Sequence, residues 1–247
     1  MKTIFITGCS SGFGLETARL FLDRGWKVVA TMRTPRADLL PDSDRLAIVP
    51  LDVTDVDSIA KAIAAAGDID VLVNNAGIGW LNALEGTPMA VARDVFETNT
   101  LGTIAVTQAV LPHFRARKAG VVINVTSTVT LKSLPLLSVY TASKAAVNAF
   151  TESLALELAP FGIRAHLVLP GRAPETRFGE NARARMGDGF PEAYQDQVQA
   201  VFASWGEPGE LTQSADVAAA IWRVATDPSA PARVPAGADA VALAAAA

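Results

Sequence analysis

Residues 3–14 read TIFITGCSSGFG, a β-branched apolar run that stops at Gly8 and passes into a turn containing Gly8, Gly12 and Gly14. Behind it, residues 14–24 carry a helical pattern. A strand, a glycine turn and a helix start together present backbone N–H groups to a pyrophosphate, aided by the helix dipole and unobstructed by side chains. At the first strand-to-helix junction this predicts dinucleotide binding, with Gly8, Ser10, Gly12, Phe13 and Gly14 lining the phosphates.

The alternation continues along the chain. Apolar runs at 27–32, 46–50, 70–75, 121–126 and 163–169 follow the first at 3–7, and helical patterns occupy 56–65, 100–117 and 141–158. Strands that are apolar almost throughout belong to a parallel sheet covered on both faces by crossover helices. The expectation is a doubly wound α/β fold in one domain, residues 1–247. In the last helix Val147, Phe150, Leu154 and Leu158 keep three- and four-residue steps until Pro160 and Gly162 end it. Residues 171–206 break the pattern with Gly, Arg and aromatic residues and read as a flap over a site. The Ala-rich end, 240–247, reads as a frayed tail.

Composition narrows the function classes. With 247 residues, a net charge of −4 and a pI near 5.2, the chain has no general attraction for nucleic acid or an anionic membrane. Cys9 stands alone, so no internal disulfide forms, and His113 and His166 have no ligand-like neighbours, so no metal is expected. The N-terminal apolar run is too short for a signal or a span, which predicts a cytoplasmic protein.

The end of the second strand selects the coenzyme. NAD sites place an acidic residue about 20 positions after the glycines, whereas an arginine there accepts a 2′-phosphate. Here the strand ends in Arg33, followed by Arg36, with no carboxylate before Asp38. The planar donor fork of Arg33, with the Ser10 hydroxyl, predicts NADP(H).

Tyr140 and Lys144 in SVYTASK sit four residues apart, on one face of a helix. A cation beside a phenol is expected to lower its pKa and make an acid/base of it. With TGCSSGFG, NNAG (74–77), YTASK and LPG (169–171) present in this order, the sequence resembles the short-chain dehydrogenase/reductase family over essentially its whole length. The resemblance implies a Rossmann-type, seven-stranded, mainly parallel sheet. It gives Tyr140 the acid/base role and Lys144 the nicotinamide ribose and the tuning of Tyr140. Ser127, thirteen residues before Tyr140, would polarise the substrate carbonyl. Asn99 would help hold a relay water, or cap the helix that follows. Asp52 and Val53 would meet adenine, Asn75, Ala76 and Gly77 would line the cofactor, and Pro170, Gly171 and Thr176 would approach the carboxamide. Cys9 in the turn points to the steroid-dehydrogenase-like, carbonyl-reducing branch and reads as a packed side chain, whereas Arg172 after Pro-Gly departs from the pattern.

These residues predict reduction of a ketone, or oxidation of a secondary alcohol. The aromatic residues Phe178, Phe190, Tyr194, Phe202 and Trp205, with Met186, favour an apolar substrate, while Arg172, Arg177, Arg183 and Arg185 offer a carboxylate site instead. The alternatives are an NAD(H)-dependent dehydrogenase of the same family and an idle nucleotide sensor. The resemblance also implies a homodimer or homotetramer, with contacts through helices 100–117 and 141–158.

Overall fold

Strands buried on both faces and helices with one apolar face have a single economical arrangement, and the computed structural model, which describes residues 1–185, 189–206 and 209–246, adopts it. The strands are β1 (Thr3–Ile6), β2 (Lys27–Met32), β3 (Leu46–Pro50), β4 (Val71–Asn74), β5 (Gly120–Val125), β6 (Ile163–Pro170) and β7 (Arg233–Ala236). They form one sheet in the order β3-β2-β1-β4-β5-β6-β7, every pair parallel, so the expected mainly parallel sheet is wholly so. The helices are α1 (Gly12–Asp23), α2 (Val56–Ala66), α3 (Met89–Phe96), α4 (Gly102–Arg117), α5 (Ser138–Leu158), α6 (Phe178–Arg183), α7 (Gln195–Gly206), α8 (Ser214–Thr226) and α9 (Ala238–Ala245).

Successive strand residues point to opposite faces. Ile4 and Ile6 join Phe21 of α1 and Ile221 of α8 in one apolar layer. Phe5 joins Ile59 of α2, Phe114 of α4 and Leu158 of α5 in the other. Because α1 and α4 lie on opposite faces while β1 and β4 are neighbours, a crevice opens beyond the C-terminal ends of these two strands. Doubly wound folds bind ligands at such a switch point.

A polar ladder braces the sheet behind it. The Asn74 amide donates to Thr107 Oγ1 (2.9 Å) and Asn124 Oδ1 (2.8 Å), and Asn124 donates to Thr151 Oγ1 (2.8 Å). These residues are buried and tie α4 and α5 to β4 and β5.

The structure corrects the sequence reading at several elements. β7 is an addition to the sequence reading, because Arg233 and Pro235 interrupt any apolar run. α3, and α6 and α7 within the flap, are further additions. The end of the chain is no frayed tail: 238–245 is a helix with Ala240 fully buried. Alanine is the best helix former yet shows no amphipathic pattern, so periodicity gave no signal. Ala240→Asp is expected to cost about 3 kcal/mol in denaturant unfolding by burying an unpaired charge, whereas the same change at exposed Val241 should cost little.

Candidate active site

The crevice floor is made by backbone held at close range. Gly8 takes a left-handed φ of +77°. A Cβ on Gly14 would fall 2.4 Å from the Gly8 carbonyl oxygen and 2.5 Å from Asn75 Nδ2, so only glycine fits there. Asn75 donates to the Thr7 and Gly8 carbonyls (2.9 and 3.1 Å), and the Thr7 hydroxyl accepts from the Asn75 and Ala76 N–H groups (3.0 and 2.9 Å). The glycine turn and the loop after β4 are thus one unit. Ser10 is exposed at the turn, Phe13 packs against the core, and Thr176 of the flap lies over Gly12. Cys9 is buried and its thiol is pushed up to about 12, which leaves it a packed, unreactive side chain, as expected.

Next to this floor stand the predicted catalytic side chains. Asn99 lies in a π-helical turn, Glu97–Leu101, joining α3 to α4. The chain is helical on both sides, so Asn99 is not a helix cap. Its amide accepts from Ile78 N–H (2.8 Å) and donates to the Ile78 carbonyl (2.9 Å) and Ser143 Oγ (3.1 Å). A Cβ on Gly77 would lie 3.2 Å from Asn99 Oδ1 and 3.4 Å from Lys144 Nζ, which sets these three residues around one space. Ser127 follows the end of β5, where its Oγ accepts from Val129 N–H at 3.3 Å.

Tyr140 and Lys144 share a buried face of α5, as their spacing predicts. Lys144 Nζ donates to the Val125 carbonyl (3.0 Å) and sits 6.0 Å from the Tyr140 ring centroid. Burial pushes the Lys144 ammonium down to about 8. The same burial pushes the Tyr140 phenol above its ordinary value, with a Ser127 hydrogen bond opposing in part. The expected acidification by Lys144 is therefore not realised in this geometry, because Nζ turns to Val125 and desolvation dominates.

Two contributors, Ser143 and Leu136, have no place in the sequence reading, and a third, Phe178, stands closer to Tyr140 than that reading specifies. Ser143 receives Asn99 and donates to the Tyr140 carbonyl (2.7 Å); a small polar residue between Tyr140 and Lys144 was the available signal. Phe178 of α6 stands 5.6 Å from the Tyr140 ring, centroid to centroid. Leu136, two residues before α5, has a φ of +65°, uncommon for leucine, and its carbonyl accepts Asn82 N–H (2.9 Å). Nothing local in the sequence announces that strain.

At the other end of the crevice Arg33 is exposed and, among the described residues, has no ion pair, whereas Arg36 is paired with Asp38 at 2.6 Å. Asp52 accepts from Thr54 N–H and hydroxyl (2.9 and 2.8 Å), so it shapes a turn; these bonds hold its carboxyl below the usual value, and Arg33 adds in the same direction. Val53 packs against Gly102. A glycine floor rich in backbone donors, with an exposed guanidinium at one end and a phenol and an ammonium at the other, fits an anionic dinucleotide.

The flap aromatics do not form an open wall. Phe190, Tyr194, Phe202 and Trp205 pack on Leu81, Leu136, Val198 and Val201, and only Phe178 reaches Tyr140. Met186 lies outside the described residues. The flap arginines are engaged locally: Arg172 with the Trp205 carbonyl, Arg183 over Phe202, Arg185 with the Asn181 carbonyl, and Arg177 near Glu180. Among the described residues no cluster of His, Cys, Asp and Glu suits a metal ion, and no helix is long and apolar enough to cross a membrane.

Residues 2–187 match the family model for short chain dehydrogenase. The chain belongs to that family. Short chain dehydrogenases are oxidoreductases that use a nicotinamide cofactor, and this member is 45% identical over 181 residues to the uncharacterized oxidoreductase YusZ of Bacillus subtilis, covering 69% of this chain and 64% of the relative. It is 40% identical over 184 residues to retinol dehydrogenase 8 of Bos taurus, covering 69% and 58%. The match thus spans less than two thirds of both relatives' length. A short-chain dehydrogenase from Streptomyces avermitilis superposes with a TM-score of 0.83 at 35% identity, covering 99% of this chain and 91% of that one. Other solved neighbours include a serine dehydrogenase complexed with NADP+ (TM-score 0.80, 28% identity) and a 3-ketoacyl-(acyl-carrier-protein) reductase from Brucella melitensis complexed with NADH (0.78, 27%).

The buried cation of this family member predicts a trade-off between stability and function. Below pH 8 both folded and unfolded chains carry the Lys144 charge, and the folded state bears its full desolvation cost; between about 8 and 10.5 the folded chain sheds that proton first, so stability rises with pH. Lys144→Met should therefore stabilise the protein by about 2 kcal/mol at pH 7, allowing for the lost bond to Val125, and by less at pH 9.5. Urea unfolding at the two pH values measures this; the raised Tyr140 value affects stability only above pH 10.

Proposed function

We propose that this protein is an NADP(H)-dependent ketoreductase and alcohol dehydrogenase, transferring hydride between the nicotinamide and an apolar ketone or secondary alcohol. The observation that carries the reading is the convergence of Asn99, Ser127, Tyr140 and Lys144 beside Gly77, at the mouth of the glycine crevice. The intact set argues against an idle sensor.

When bound, the reduced nicotinamide supplies the hydride. Tyr140, kept protonated by burial, gives the proton on Oη to the substrate oxygen as negative charge gathers there, and Ser127 Oγ donates a hydrogen bond to the same atom. These donors act most strongly once charge has developed, so they favour the transition state over the ground state. The phenolate that remains is offset by the Lys144 ammonium across a site of low dielectric. Asn99 keeps the space between Gly77 and Lys144 in shape for the water that returns a proton to Tyr140.

Arg33 supports the choice of NADP(H): its fork of donors is exposed, with no ion pair among the described residues, where an NAD enzyme places a carboxylate. An apolar substrate is favoured by Phe178 beside the Tyr140 ring. The same reading makes the protein one catalytic domain of the cytoplasm, acting on a small molecule as a homodimer or homotetramer. Leu101 at the head of α4 and Leu156 on α5 are exposed apolar side chains on the helices expected to meet a second copy.

Two substitutions test the proposal. Tyr140→Phe should lower kcat by about 10³-fold or more while NADPH, followed by its fluorescence, still binds; near wild-type turnover would refute the mechanism. Arg33→Ala should weaken NADPH about tenfold or more and leave NADH little changed. An equal loss for both would rule out the coenzyme assignment.

A further inference from the structure

Both ends of the flap meet at one carboxylate. Asp239, in the first turn of α9, accepts from the Arg172 N–H with Oδ2 (2.7 Å), and its Oδ1 lies 2.6 Å from the Thr212 hydroxyl. Arg172 is where the chain leaves β6 for the flap, and Thr212 is where it returns to α8. Thr212 is buried. Its hydroxyl accepts from Gly171 N–H (2.9 Å) and has one proton for two acceptors, Asp239 and the Ala236 carbonyl (2.9 Å). Thr212 N–H closes the ring on the Arg172 carbonyl (2.9 Å), and outside it Glu175 accepts from Ser214 N–H (2.6 Å). There is no slack in this arrangement: a Cβ on Gly171 would lie 2.2 Å from Asp239 Oδ2.

We propose that Asp239 and Thr212 are positioning residues which latch the base of the flap and thereby fix Pro170 and Gly171 against the cofactor crevice. The last helix is then part of the catalytic apparatus. Each hydrogen bond can be made individually by many side chains, but a carboxylate that bonds the outgoing strand and the returning threonine together holds the two ends of a forty-residue excursion at one point. Thr176 over Gly12 and Phe178 beside Tyr140 hang from that point, so their placement depends on it. Loss of the latch leaves the half-buried Arg172 and Gly171 N–H groups without acceptors, a penalty on the order of tenfold per group in the latched population.

The inference rests on reading 171–206 as a flap over a cofactor crevice, with Thr212 on the chain that returns from it, so its first readout is taken without any ligand. Limited trypsin cleavage of the folded protein at Arg177 and Arg183 should run about tenfold faster in Asp239→Asn and Thr212→Val than in wild type, and at the wild-type rate in Thr212→Ser, which keeps the hydroxyl. The second readout is NADPH affinity by fluorescence, expected to fall about tenfold in the first two variants and not in Thr212→Ser. Cleavage rates equal in Thr212→Val and Thr212→Ser would overturn the latch, whatever the coenzyme proves to be. Faster cleavage with unaltered NADPH affinity would overturn the step from latch to crevice. Should Asp239→Asn fail to fold, the two Thr212 variants decide the matter alone.

Discussion

A positive charge held out of water at the C-terminal edge of a parallel sheet is the constraint on which this structure turns. Lys144 is buried, its only acceptor among the described residues is a strand-end carbonyl, and its ammonium is pushed down to about 8. Such a group is destabilising in a free fold, and it persists because the surroundings leave it nowhere else to go. α5 is pinned to β5 through Asn124 and Thr151, and the π-turn is pinned to α5 through Asn99, Ser143 and Thr100. The phenol of Tyr140 is carried into the same dry space on the same helix.

Rigidity on one side of the crevice is matched by a suspended element on the other. The floor, from Thr7 through the glycine turn to Ala76, is backbone tied together by two side chains, the Asn75 amide and the Thr7 hydroxyl. The flap reaches over it from a base gathered at Asp239, and its aromatic residues fasten it to Leu81 and Leu136 instead of lining an open pocket. Asn82 adds a bond to the Gly189 carbonyl (3.0 Å) from below. Phe178 is the flap side chain that meets the Tyr140 ring, 5.6 Å between centroids.

What the sequence by itself determined is considerable. The six apolar runs gave the sheet and its parallel direction, because strands covered on both faces have no polar alternation to show. The four-residue step from Tyr140 to Lys144 fixed their common face, and the order of the glycine turn, NNAG, YTASK and LPG carried the family. These features are local, or are spacings along one element, and a spacing survives in the string of letters.

Only the tertiary structure decided the rest. β7 and α9 have no apolar period, so their places came from the neighbours they pack against. Asp239 is a lone acid in an alanine-rich stretch until folding brings it to Arg172 and Thr212, 67 and 27 positions away. The lowering of the Tyr140 phenol expected from sequence is reversed for a related reason: the spacing to Lys144 reveals a neighbour, whereas the balance between that neighbour and desolvation depends on which way Nζ points and how much water is excluded. Proximity along the chain is written in the sequence; burial and the meeting of distant segments are properties of the folded whole.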